Sequence, residues 1–424
     1  MKASKVLRAI AVVYCAVLLL QQACSPERMD RLTLSNTSML SRVDEPIVIS
    51  RQQLADLFGE IPFGKVPELT DSTGTAIASQ TDDLNKDGIW DELVLVYSFK
   101  PKAAARINCR YVSPADLPVY TQRTNVRFAK QDGKGGYQEI KEETMPKDHT
   151  VERTLQRYQL EGPGWENDKI GFRNYFDSRN AMDIFGKKTP KMILDKTDLD
   201  EKIAEYMTMQ PWGMDILKVA GSLGAGGLAI YEADSLYRVT GAKNTTYKLV
   251  SRGPVRSVFR LSYLSVPVGQ YTYDVKQEIT IWAGMSGYQS KVWLSGFTGQ
   301  KILVSGIAEI KPSTRFRVDS PVFTAIGTHG LQAESGDALD MALIVEKSHF
   351  LGDSGAALSG SGVTQTYYAK ILAKNNQPVT FYFIAGWAGQ NPEYRHSPYF
   401  LHEIKQLQIR LAAPIKIFKH STKI

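Results

Sequence analysis

The densest run of reactive side chains in the chain is EGPGWENDKIGFRNYFDSRNAMD, residues 161–183. Strand alternation sends Phe172, Asn174 and Phe176 to one face and Arg173, Tyr175 and Asp177 to the other. A face of Arg, Tyr and Asp is either a solvated sheet surface or the floor of a groove. Sugar clefts are built this way, with an aromatic platform such as Trp165 flanked by hydrogen-bonding Asp, Glu and Arg. Two chemistries suit the residue types. Hydrolysis of a glycosidic bond needs two carboxylates, which Glu161, Glu166 and Asp168 offer locally; Glu166 with the later Asp215 is the expected pair. β-Elimination from a uronic acid needs a base at C5 and a cation on the substrate carboxylate, roles that fit Tyr175 and Arg173. Trp165 and Trp212 would stack on sugar rings in either case, with Arg179, Asp177 and Lys218 as further binding groups.

Other motifs carry less. Residues 212–227, WGMDILKVAGSLGAGG, are glycine-rich, but neither the phosphate-loop ending nor the G-x-G-x-x-G spacing is met, so nucleotide binding is rejected. The glycines there let backbone pass close to another element, and Asp215 and Lys218, three apart, are placed to pair locally. Asp83, Asn85, Asp87 and Asp91 stand at positions 1, 3, 5 and 9 of an EF-hand-like count, with Gly88 at position 6. Val94 occupies position 12, where a glutamate is expected. The loop is read either as a structural calcium site or as an Asx-rich turn without metal; no cofactor is expected for the chemistry itself. The six histidines form no H-x-H or H-x-x-x-H pair, so no local zinc motif exists. His396, in the stretch YRHSPY, reads as loop surface. Cys109, in INCRY, reads as a buried strand residue.

These groups need elements to hold them. Residues 46–135 and 227–420 alternate like strands, broken by Gly and Ser turns, and helix is scarce. One helix is expected over Arg51–Phe58 with Ser50 as its cap, and another near 393–411 before a final strand. Residues 131–150 read as an exposed loop and 189–210 as a second loop with some helix. Many strands with few short helices predict a mainly β fold, a large antiparallel β-sandwich, as one domain over 46–420. At 424 residues and 43% hydrophobic, the chain can bury a sizeable core. Its formal charge of +7 includes no basic block interleaved with aromatics, so nucleic-acid binding is not read.

The first residues read as export machinery. Lys2, Lys5 and Arg8 precede an apolar run over 9–20 that is too short to span a bilayer, followed by Ala23-Cys24. Residues 1–23 are read as a signal peptide, Cys24 as the site of lipidation, and 24–45 as a polar tether. Gln21 stands where an aliphatic residue is usual three before such a cysteine; the other reading is plain cleavage after Ala23. The expected location is the periplasm or cell surface, with the membrane reached through the lipid only.

The stretches WENDKIGFRNYFDSRNAMDIFGK (165–187), WGMDILKV (212–219) and SLGAG (222–226) resemble the family known as domain of unknown function 4861, as do the Asp82–Leu93 loop, GPVRS (253–257) and AGW (385–387). The resemblance covers about residues 45–415. It implies a lipoprotein of Bacteroidetes-type polysaccharide utilisation and a galactose-mutarotase-like super-sandwich. It also implies a histidine shortly before Trp212, where residues 206–210 read YMTMQ. The reading is a carbohydrate-active lipoprotein, with hydrolase or lyase favoured, that cleaves an acidic, uronic-acid-containing polysaccharide or oligosaccharide. The alternative is a non-catalytic glycan-binding lipoprotein.

Overall fold

The computed structural model describes residues 29–147, 149–199 and 205–420. The expected signal peptide and the expected lipidation site Cys24 lie outside these. The long strands of the largest sheet follow the alternation of their sequence, whereas Gly164–Asn167, Ile170–Asn174 and Met182–Lys187 are buried on both faces. In Tyr271–Trp282, Tyr273, Val275, Gln277, Ile279 and Ile281 point inward while Asp274, Lys276 and Glu278 point out.

The fold is mainly β and antiparallel. One layer is a nine-stranded sheet running from Glu142–Thr144 at one edge, through Arg256–Val268, Tyr271–Trp282 and Pro378–Trp387, to Thr314–Asp319 at the other. Two five-stranded sheets form the second layer. One consists of Thr124–Arg127, Gly164–Asn167, Ile170–Asn174, Met182–Lys187 and Gly213–Asp215; the other is centred on Ala225–Glu232 and Gln300–Ala308. A parallel bridge between Met182 and Gly224 joins these two edge to edge. Trp165, Phe172 and Ile184 from one layer meet Phe259, Tyr288 and Phe383 from the other in one continuous core.

Three expectations change. Residues 29–45 are not a tether: Met29–Ser35 is a strand between Ala104–Val112 and Lys416–Lys419, and Leu32 and Leu34 are wholly buried. The alternating apolar residues of RLTL supply the reason. The chain also holds more than one sandwich core. The strands of residues 29–112 and Lys416–Lys419 form four- and three-stranded sheets with a core of their own, built on Leu32, Ile47, Ile49, Leu93, Ile107 and the buried Cys109. Arg123 ties this part to the large sandwich, gripping Asp44 at 2.7 and 3.0 Å and Asp168 at 2.7 and 3.0 Å. Finally, 131–150 is not all loop: Ala129–Gln131 pairs with Tyr137–Glu139, and Glu142–Thr144 joins the nine-stranded sheet.

The helix Arg51–Phe58 has Ser50 as its cap, accepting from the Gln53 amide at 3.0 Å. The C-terminal helix Ser397–Ala412 buries Phe400, Ile404 and Gln408, four residues apart, against Ala342, Ile344 and Ile384 on the outer face of the nine-stranded sheet.

Candidate functional site

The five-stranded sheet has two unlike faces. Trp165, Phe172 and Ile184 enter the core. On the opposite face, direct cross-strand pairing puts Arg173 beside Asp183 and Phe185 beside Asp215, so these four share a side. The Asp215 strand can lie this close only because Gly213 has φ +127° and no side chain; a Cβ there would overlap the Gly186 carbonyl.

Arg173 is the hub. Its Nη2 donates to Asp215 Oδ2 at 2.7 Å, Asp183 Oδ2 at 3.0 Å and Tyr175 Oη at 2.8 Å; its Nη1 donates to Glu161 Oε1 at 3.3 Å and Tyr206 Oη at 3.4 Å. Tyr175 in turn donates its hydroxyl to Asp183 at 2.6 Å. Arg179 lies over the Tyr175 ring at 4.0 Å and bonds Glu161 at 2.5 Å and Asp177 at 2.6 Å. Asp177 also accepts from Thr154 at 2.9 Å, and His149 Nε2 lies 2.7 Å from the Phe176 carbonyl. The Arg173, Asp183 and Asp215 side chains are at most 9% exposed, whereas that of Arg179 is 30% exposed, so the cluster meets solvent at Arg179.

Burial first, then the negative charge of Asp183, holds the Asp215 carboxyl well above the usual carboxylate range, with Arg173 opposing. Asp183 and Asp215 both accept from the same Arg173 Nη2, at 3.0 and 2.7 Å. Burial likewise pushes the Tyr175 hydroxyl well above its ordinary value, partly offset by Arg173.

Several expected residues fall elsewhere. Glu166 is not brought to Asp215. It is wholly buried, bonded to Lys187 Nζ at 2.5 Å and to the amides of Ile193 and Leu194 at 2.7 and 2.8 Å. It anchors the 189–196 segment and has no open edge for a substrate. Trp165 is not a stacking platform: it is 0% exposed, stacks on Phe172 at 5.5 Å and has both neighbours in the core. Asp168 is held by Arg123 and the Gly284 amide. Arg173, bonded all round, has no free edge for a substrate carboxylate, and Tyr175 already donates its proton to Asp183. Trp212 is half-buried against Phe185 at 6.2 Å, near the cluster. Lys218 is exposed and does not pair with Asp215, whose cation is Arg173.

Asp183 and Tyr206 were missed. Asp183 had a signal: it follows Arg173 by ten residues across a short turn, the spacing of a hairpin partner. Tyr206 had none, because its approach depends on the fold of a loop. In the Asp83–Asp91 loop, Asp83 accepts from the amides of Lys86 and Gly88, Asn85 from Asp87, Asp87 from Ile89 and Asp91 from Leu84. Its oxygens converge on the loop's own amides, as Asx turns do. Among the described residues no group of three or more His, Cys, Asp or Glu is placed to hold a metal.

The family model described as "Domain of unknown function (DUF4861)" matches residues 34–417, and the chain belongs to that family. "Uncharacterized protein P7" of Formosa agariphila is 24% identical over 311 residues, covering 68% of this chain and 70% of its own length. Among solved structures, an alpha-mannosidase from Enterococcus faecalis V583 aligns with a TM-score of 0.47 at 10% identity, over 94% of this chain and 46% of that one. A glycosyl hydrolase family 38 protein from Enterococcus faecalis aligns with a TM-score of 0.46 at 10% identity, over 93% and 48%. The chain thus spans about half the length of those two proteins.

Proposed function

We propose that this member of the family is a carbohydrate-active enzyme that hydrolyses a glycosidic bond in a uronic-acid-containing glycan. The observation that carries the reading is that Asp215, its carboxyl raised by burial and by Asp183, and Glu161 bond the same Arg173 guanidinium in a cluster that reaches solvent at Arg179. A general acid must hold its proton near neutral pH, and a carboxyl does so only where its surroundings penalise the anion. Glu161 stands on the other edge of the same guanidinium, with Arg173 and Arg179 as two cationic partners. It supplies the second carboxylate, which activates water or attacks the sugar. Asp183 and Tyr175 then act as positioning residues: Asp183 holds the Arg173 Nη2 that bonds Asp215, and Tyr175 donates to Asp183. Hydrolysis is placed ahead of elimination because burial keeps Tyr175 protonated and Arg173 is fully engaged. Turnover of a uronate glycan panel by wild type, Asp215→Asn and Glu161→Gln tests the assignment.

A second reading, a glycan-binding protein without turnover, is favoured by one observation. The Asp183, Asp215 and Glu161 carboxylates already have partners within the protein. Such a protein would bind the panel and release no new reducing ends. The export and lipidation of Cys24 belong to this proposal and rest on the leader alone. Among the described residues, no helix is long and apolar enough to cross a membrane.

A further inference from the structure

A cleft of about 1220 Å³ lies away from the Arg173 cluster, bounded by the strand Arg42–Ser50, the C-terminal helix and the ends of the nine- and five-stranded sheets. It is larger than the few hundred to 1000 Å³ of typical small-molecule pockets, which suits an extended ligand. Its charges sort cleanly. Glu45 is taken by Arg42 and Arg410, Asp44 and Asp168 by Arg123, and Lys187 by Glu166. Glu403 accepts from the Tyr394 hydroxyl at 3.0 Å. Two lining cations, Lys169 and Lys188, are exposed and make no ion pair with the described residues; the Lys188 ammonium lies 5.6 Å from the centre of the Trp387 ring. Ile170 pairs with Gly186, so Lys169 and Lys188 flank the ends of two neighbouring strands. Half-buried Tyr382, Tyr399 and Gln406 also line the cleft, and the Gln390 side-chain amide there donates to the Lys169 carbonyl.

Exposed ammonium groups in a cleft that also holds tyrosine rings and side-chain amides are what a chain of sugars bearing carboxylates would meet best. The rings stack, the amides take hydroxyls, and the lysines take the anions. We propose that this cleft docks an acidic oligosaccharide, with its carboxylates on Lys169 and Lys188 and its rings against Tyr382 and Tyr399. The proposal rests on the carbohydrate reading above and names where the glycan chain is held. Lys187, which lines the cleft, and Asp183 in the cluster share one strand and one face. They lie about 13 Å apart by the rise of four strand residues, so cleft and cluster border the same sheet.

The test is calorimetric titration of the purified protein with a tetra-uronate and with a neutral tetrasaccharide of equal length. The variants are the surface double variant Lys169→Ala/Lys188→Ala, Tyr399→Ala and Asp215→Asn. The tetra-uronate should bind and the neutral sugar bind at least about tenfold more weakly. The double-lysine variant should lose about tenfold, with most of the salt dependence. Asp215→Asn should bind like wild type. Equal binding by wild type and the double-lysine variant, preference for the neutral sugar, or no uronate binding at all would overturn the cleft. Lysine-dependent binding without cleavage would overturn the enzyme reading and leave the cleft standing. Cleavage lost in Asp215→Asn, with lysine-independent binding, would do the reverse.

Discussion

Replacing Lys187 by Met should cost the fold about 3–5 kcal/mol, the loss that follows when one member of a buried ion pair is removed. The Lys187 and Glu166 side chains are both fully buried and meet at 2.5 Å, and Lys187 also donates to the Asn167 carbonyl at 2.6 Å. Methionine preserves the length of the side chain and its packing, so the loss isolates the charge. Glu166 would keep the Ile193 and Leu194 amides but lose its counter-ion in a fully buried site. The double variant Glu166→Met/Lys187→Met removes both charges but orphans those two amides, each at about 1–3 kcal/mol. It should therefore remain destabilised, by a different route. Urea denaturation followed by tryptophan fluorescence reads both. A Lys187→Met midpoint within about 1 kcal/mol of wild type would refute the anchoring role. So would a Glu166→Gln protein of full stability that has lost turnover, since that would return Glu166 to the chemistry.

Other outcomes follow from single features. Trp165→Ala should lose about 3–5 kcal/mol as a core cavity and leave glycan affinity intact in whatever protein folds; a stable variant that no longer binds glycan would make Trp165 a platform after all. Asp340, wholly buried beside His329 at 2.5 Å, has its carboxyl pushed up to about 7, by burial first and with His329 opposing. A group raised in the fold contributes stability that is complete below its unfolded value of about 3.9 and drains away as pH rises through about 7. Wild type should therefore lose stability relative to Asp340→Asn across that window, by up to about 1.4 kcal/mol per pH unit; parallel stability curves would sink this. Calcium in the Asp83–Asp91 loop predicts a melting temperature raised by millimolar calcium and insensitive to it in Asp87→Ala. Identical melting in calcium and EDTA removes the metal from the account. Lipidation predicts that Cys24→Ser, expressed in a bacterium, loses the acyl mass and the membrane fraction; an unchanged distribution argues for plain cleavage.

Local patterns carried the fold far. The alternation of Tyr271–Trp282, the cap at Ser50 and the apolar spacing of Ser397–Ala412 are decided by nearest neighbours, and each element formed where its residues predict. The face assignment of Arg173 against Phe172 held for the same reason. What sequence spacing does not encode is which polar residues meet. Glu166 and Asp215 read as a pair, yet cross-strand register gives Glu166 to Lys187 and Asp215 to Arg173. Trp165, two residues from a polar face, looked like a platform, but strand parity turns it into the core. The strand Met29–Ser35 was hidden because its partners, Ala104–Val112 and Lys416–Lys419, are far away in sequence. The Lys169–Lys188 cleft was equally invisible, since its walls come from four distant segments.

The central claim is that Asp215 holds the acid proton for glycosidic cleavage. The decisive measurement is reducing-end release, read together with unsaturated-uronate absorbance, by wild type and Asp215→Asn on a uronate glycan panel across pH. An acid at Asp215 gives release without that absorbance, loss of at least about a hundredfold in Asp215→Asn, and a wild-type rate that falls as pH rises through the raised Asp215 pKa. Release accompanied by the absorbance, or full activity in Asp215→Asn, would contradict it.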